Sequence, residues 1–170
     1  MSSQGQLVVP LDQGRVVGTQ LQDKTLPIHV GGFLGIPYAL PPIGDRRFCA
    51  PVKVAPNLDS TIDASKCGHA APGQDLSFLN VPPVMFREDC LTVNVYRASS
   101  THASRLPVLM YIHGGGFNMG WGNMYNTASM IAHIEDPFIG VSFNHHLGAL
   151  GFLPSHLAAK EGVLNLGFHD

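Results

Sequence analysis

LPVLMYIHGGGFNMGWG, residues 106–122, decides how this 170-residue sequence is read. The run LPVLMYIH (106–113) is strand-sized and almost continuously apolar, the pattern of a strand buried on both faces. Gly114-Gly115-Gly116 terminates it. Beyond the glycines, TASMIAHIE (127–135) has the spacing of a short helix, with Asn126 or Thr127 as its N-cap and Pro137 as its stop. FIGVSFN (138–144) then reads as a second buried strand, and Pro154 opens another helical piece, PSHLAAKEG. Strand, glycine loop, helix and strand in this order form a βαβ pattern and predict an α/β sheet.

The chain before this unit is strand-rich and irregular. LTVNVYR (91–97) alternates apolar and polar residues, as a half-buried strand does, and the polar connection ASSTHASR follows it. QLVV and RVVGTQL surround the turn signal Asp12-Gln13-Gly14 and predict an N-terminal hairpin within residues 6–22. LPIHVGGFLGIPYAL (26–40) is another extended piece, ended by Pro41-Pro42, which cannot continue a ladder. Residues 41–89 carry little periodicity; so long an irregular segment is expected to be functional or packed on something larger. No repeat and no linker divides the chain, so residues 1–170 are read as one unit.

Composition narrows the function classes. Hydrophobic residues make up 45% and charged residues 13%, with a net charge of −2. That is too apolar for a disordered tail and offers no basic footprint for nucleic acid or anionic membranes. Nineteen glycines and thirteen prolines imply many turns and argue against a helical bundle. No run reaches the ~18 apolar residues of a membrane span. MSSQGQLVVPLDQG at the N-terminus lacks the pattern of a secretory signal, so the expectation is cytoplasmic. Cys49, Cys67 and Cys90 form no C-x-x-C pair, and the nine histidines are scattered without an H-E-x-x-H. No metal site and no cofactor are expected.

The triple glycine is the chemically informative element. It places flexible backbone at the C-terminal edge of a buried strand, where a ligand can approach closely. A Walker loop fails because Trp121 stands where Lys is required. A dinucleotide fingerprint fails because Met119 stands where the third Gly is required. HGGG-type loops also donate backbone N–H groups to the oxyanion of an acyl intermediate in lipases and esterases. The loop alone equally suits a tight turn with no ligand.

Longer segments resolve this choice. FLGIPYALPPIGDRRF (33–48), EDCLTVNVY (88–96), LMYIHGGGF (109–117), LGALGFL (147–153) and EGVLNLGFHD (161–170) together resemble the type-B carboxylesterase/lipase family, in its order and at its spacing. The family has the α/β-hydrolase fold and includes cholinesterases, fungal lipases and non-enzymatic adhesion proteins. The resemblance covers nearly everything from Gly14 onward. It implies the N-terminal part of that fold: a β-hairpin, then the start of the central mixed sheet, with 41–89 irregular.

By the same resemblance, Gly115 and Gly116 supply oxyanion-hole N–H groups and Gly114 shapes the turn. Gly114, Phe117 and Trp121 become candidates for lining or supporting an acyl or alcohol pocket. Cys67 and Cys90 match a family disulfide, expected to be reduced in a cytoplasmic setting. Arg47 and Glu88 match an ion pair. His146 stands where the family prefers Arg, so the pair with Asp170 becomes His146–Asp170. Relatives outside the cell make secretion the second expectation, and some fungal members act on lactone or ester intermediates in natural-product pathways.

The family's nucleophile is the Ser of G-x-S-x-G, downstream of the segment that ends in Asp170. No such motif occurs in these residues; Gly140-Val-Ser142-Phe-Asn144 fails at its last position and lies in a strand. The catalytic acid and histidine lie later still. The expectation is therefore a partial carboxylesterase domain, ending before the nucleophile elbow and inactive alone, whose substrate when completed is a small-molecule ester. Its exposed sheet would call for a C-terminal complement or an oligomer. Two competing readings are a non-catalytic binding protein on the same scaffold, and a cyclase or dehydratase using His113 as a base.

Overall fold

The computed structural model describes residues 7–21, 23–74, 84–100 and 105–170. The ends of the predicted hairpin, Gln6 and Gln22, lie outside the described residues, as do 75–83 of the irregular segment and 101–104 of the polar connection. Among these described residues eight strands fall into two sheets, one of three and one of five strands.

The small sheet is built on the predicted hairpin. β1 (Val8–Leu11) pairs antiparallel with β2 (Gly14–Val17) around Asp12-Gln13. β5 (Thr61–Asp63) then adds parallel to β2. The segment 41–89 is therefore not wholly irregular. It contributes this strand and a short 3-10 turn at Gly44–Arg46, too brief to leave a periodic signature.

β3 (Thr19–Leu21) begins after Gly18 and belongs to the large sheet. That sheet runs β3–β4–β6–β8–β7, with β4 at Val30–Pro37, β6 at Thr92–Ala98, β7 at Val108–Tyr111 and β8 at Ile139–Phe143. All its pairings are antiparallel except β7 with β8. The parallel pair is joined through α1 (Thr127–His133), whose N-cap Asn126 accepts from Ser129 N–H. This is the expected βαβ unit in a mixed sheet. α1 buries Ala128, Ile131 and Ala132 against Val30, Leu34, Tyr96 and Ala98. After β8 come α2 (Gly148–Phe152), which the sequence reading passed over, and α3 (His156–Lys160), whose N-cap is Ser155.

One strand departs from what its sequence pattern predicts. The alternation in β6 predicts a half-buried strand, yet Thr92, Asn94, Tyr96 and Ala98 are all buried, and Val93 and Val95 pack on a separate cluster around Val16, Ile36 and Ala64. The polar face survives burial because it is bonded. Asn94 Oδ1 accepts from Gly35 N–H at 2.9 Å, and Asn94 Nδ2 donates to Ser142 Oγ at 3.3 Å. Gly35 sits at a register shift in β4 with φ +68°, so Asn94 satisfies an amide that the ladder releases.

β7, the apolar run at the start of the glycine loop, is the exposed sheet expected of a partial domain: it is an edge strand, with Val108 60%, Leu109 46% and Met110 60% exposed and the following Ile112 64% exposed. Nothing in the described chain pairs with its outer edge.

Candidate active site

β7 ends at the edge of a cleft of about 370 Å³. Gly114, Gly115, Gly116 and Phe117 line it together with Phe143, Phe152 and Phe168. Phe117, Phe152 and Phe168 form an aromatic trio with ring centroids 4.7–5.4 Å apart. The wall is thus largely apolar, as small-molecule sites usually are.

The glycine loop is held by bonds at its carbonyls. Gly115 O accepts from Asn118 N–H at 3.1 Å and from Met119 N–H at 3.2 Å. That carbonyl shares a rigid peptide plane with Gly116 N–H, so fixing one end fixes the other. Gly114 O lies 3.1 Å from His113 Nδ1 and shares its plane with Gly115 N–H. Neither Gly115 N–H nor Gly116 N–H donates to an acceptor among the described residues. Two oriented, unspent donors in an apolar cleft can stabilise a negative oxygen without reorganising.

The three glycines are not equivalent. A Cβ on Gly115 (φ +132°) would lie 2.0 Å from Met119 O, so the loop closes over that position. On Gly116 (φ +59°) it would meet open space but a left-handed backbone; on Gly114 it would meet neither obstacle. Only at Gly115 do conformation and close approach both require glycine.

Farther along, Phe117 O accepts from Gly148 N–H and Asn118 O from Gln74 N–H, each at 2.7 Å. The loop's exit is held by Asn144, to which the sequence assigns no role. Its Oδ1 accepts from Gly122 N–H, its Nδ2 donates to His69 O and its own carbonyl accepts from Tyr38 O–H, all at 2.7 Å. Asn144 lies just beyond β8, so it ties the loop to the sheet. The signal for it was the polar residue closing an apolar strand.

The remaining candidates separate clearly. Phe117 lines the cleft. Trp121 does not: it is buried against Ala70 and stands edge-on to Phe86 at 6.5 Å, so its contacts are those of core packing. Asp170 reaches the cleft wall with its side chain fully buried, accepting from His146 N–H at 2.7 Å and lying 2.8 Å from His146 Nδ1. Arg47 and Glu88 pair through two contacts, Nε–Oε2 at 2.6 Å and Nη2–Oε1 at 2.7 Å. The guanidinium holds the Glu88 carboxyl below its usual range. This pair is partly exposed and lies outside the cleft lining.

The three cysteines are free thiols. Cys67 packs beside the Tyr96 cluster and Cys90 among Ala39, Ala71, Leu91 and Leu147. Burial pushes both thiols up, Cys90 to about 12. Among the described residues no three His, Cys, Asp or Glu side chains converge as a metal site. No described helix is long and apolar enough to cross a membrane.

Comparison with known proteins is consistent along the whole chain. The profile of the carboxylesterase family matches residues 5–170. Secreted triacylglycerol lipase LIP1 of Gibberella zeae is 36% identical over 96% of this chain and 30% of its own length. Pyrethroid hydrolase Ces2e of Rattus norvegicus is 39% identical over 92% and 28%. Among solved structures, a thermophilic PNB esterase superimposes with TM-score 0.81 at 34% identity, over 97% of this chain and 33% of its own. Aspergillus niger EstA gives 0.79 at 36%, over 99% and 31%. The chain thus spans about a third of the length of these relatives, and its mixed sheet is part of an α/β-hydrolase fold. On these grounds the protein belongs to the carboxylesterase family.

Proposed function

We propose that Gly115 and Gly116 N–H form the oxyanion hole of a carboxylic-ester hydrolase, with the aromatic cleft receiving the ester of a small molecule or a lactone. The observation that carries this reading is the pair of peptide N–H groups, each oriented through its carbonyl and each unspent, at the rim of an apolar cleft. In ester hydrolysis the attacked carbonyl oxygen becomes negative, and such donors act on that charge. The covalent step needs a nucleophile, and these 170 residues contain no G-x-S-x-G. They are read as a partial domain that precedes the nucleophile elbow and does not turn over esters alone.

The test is restoration in cis. Joining this chain to the C-terminal portion of a related esterase should yield hydrolysis of a p-nitrophenyl ester and labelling by a fluorophosphonate. Gly116→Ala in that protein should lower kcat by about 10²-fold with little change in KM. Labelling of a serine in the chain alone, with turnover lost on its mutation, would overturn the reading. Retention of an ester analogue by the chain alone, without labelling and without restored turnover, would favour a non-catalytic binding role. A cytoplasmic location with reduced Cys67 and Cys90 belongs to the same proposal. Relatives named as secreted set the contrary outcome: export, with a 67–90 disulfide found by mass before and after reduction.

A further inference from the structure

One of the bonds that orient the glycine loop comes from a side chain, and that side chain stacks on a second titratable ring. His113 Nδ1 lies 3.1 Å from Gly114 O. A carbonyl can only accept, so Nδ1 carries the proton. Nε2 of the same ring is buried and has no partner among the described residues. His145, just after β8, lies face to face with His113, centroids 4.3 Å apart and planes 20° from parallel. Its other ring contact is Phe143, at 6.2 Å. Both imidazoles are buried and line the cleft. Two cations cannot share such a stack, so the pair titrates as a unit.

We propose that His145 is a positioning residue for the Gly114–Gly115 peptide, acting through His113: its ring backs the His113 ring and holds Nδ1–H on Gly114 O, so that a proton taken up by the pair is felt at the Gly115 amide. The proposal rests on the oxyanion-hole reading for its functional meaning. Gly116 N–H is the internal contrast, because backbone amides orient its peptide.

The groups acting on His145 are His113, His146 and Asp170. Burial first, and then His113, pushes His145 down to about 4, with Asp170 opposing. That carboxylate is already engaged by the amide and ring of His146. Burial also lowers His113, against the bond to Gly114. Tyr38 and Cys90, which feel the same carboxylate, stay protonated through burial. The pair is neutral near pH 7 and takes its proton only in acid.

The experiment is NMR on the full ¹⁵N-labelled chain, following ring nitrogens and glycine amides from about pH 8 to about pH 4. His113 should be the Nδ1–H tautomer at neutral pH. The Gly115 amide should shift on the acid side with the midpoint of the His145 ring, while Gly116 stays still. In His145→Phe, which keeps an aromatic face without a titrating group, that acid-side shift should be lost. In His145→Ala the Gly115 amide should be displaced at every pH. An Nε2–H tautomer of His113 at neutral pH overturns the proposal, as does a Gly115 titration unchanged in His145→Phe. Should the variants not fold, the tautomer and the two midpoints in the unaltered chain decide it. None of these readouts needs turnover, so their failure leaves the oxyanion-hole reading standing. A restored enzyme indifferent to Gly116→Ala would remove that reading alone.

Discussion

β6 and β7 flank the same strand, β8, and are covered in opposite ways. β6 contains Thr92, Asn94, Tyr96 and Arg97, yet most of it is buried between α1 on one face and the Val16–Ile36–Ala64 cluster on the other. β7 is Val-Leu-Met-Tyr, and most of it faces solvent. The difference lies in neighbours. β6 has a partner strand on each side, whereas among the described residues β7 pairs only with β8. Polar side chains are tolerated inside when bonded, as Asn94 is, and apolar ones remain outside when nothing arrives to cover them. An apolar strand with a free edge is also a template for another chain.

The hardest test of this contrast is Asn94→Ala. It strands Gly35 N–H inside the sheet, removes the bond to Ser142 and leaves a small void. Stability in urea denaturation should fall by about 3 kcal/mol. A loss below about 1 kcal/mol would mean that the buried polar face of β6 is not held by Asn94.

Just past the end of β7, the glycine loop allows a sharper comparison at adjacent positions. Gly115→Ala forces a Cβ into Met119 O and should cost about 2 kcal/mol, whereas Gly114→Ala, in open space, should cost less than about 0.5. Equal losses by thermal or chemical unfolding would show that the loop is not closed over Gly115.

Acid should weaken the β8 side of the cleft. His145 has a folded value near 4 against ~6.5 in the unfolded chain. Above ~6.5 it is neutral in both states and full stability is present. As pH falls below that, the unfolded chain takes up a proton that the folded chain refuses, and stability declines until pH reaches the folded value. Allowing for solvent screening, the loss should be about 1.5 kcal/mol, read from unfolding midpoints against pH. His145→Phe should flatten this part of the profile; an unchanged slope would assign it elsewhere.

The smallest effect on folding belongs to the edge. Met110→Lys should change stability by less than about 0.5 kcal/mol, because its site is already solvated. It should reduce self-association measured by sedimentation, since a charge on an open edge discourages pairing. A loss above about 1 kcal/mol in the monomer would mean that β7 is covered in solution.

Local chemistry was legible in the residues themselves. The Asp12-Gln13-Gly14 turn, the capped helix after Asn126, the glycine stop after His113 and the βαβ order depend on contacts a few residues apart, and the family segments carried the fold with them. Burial was not legible at β6, because hydropathy reports what a strand would prefer and not which elements reach it, whereas the open edge at β7 is the exposed sheet expected of a partial domain. β5 and α2 were too short to show a period. Trp121 looked like a cleft residue from its place in the loop, yet the segment around Ala70 and Phe86, far off in sequence, encloses it. The same holds for Asn144 with Tyr38, His69 and Gly122, and for the stack of His113 on His145. The sequence alone determined where glycine gives the backbone its conformational freedom after β7. Only the tertiary structure decided which groups orient them, because those partners are brought together by strand pairing across long stretches of chain.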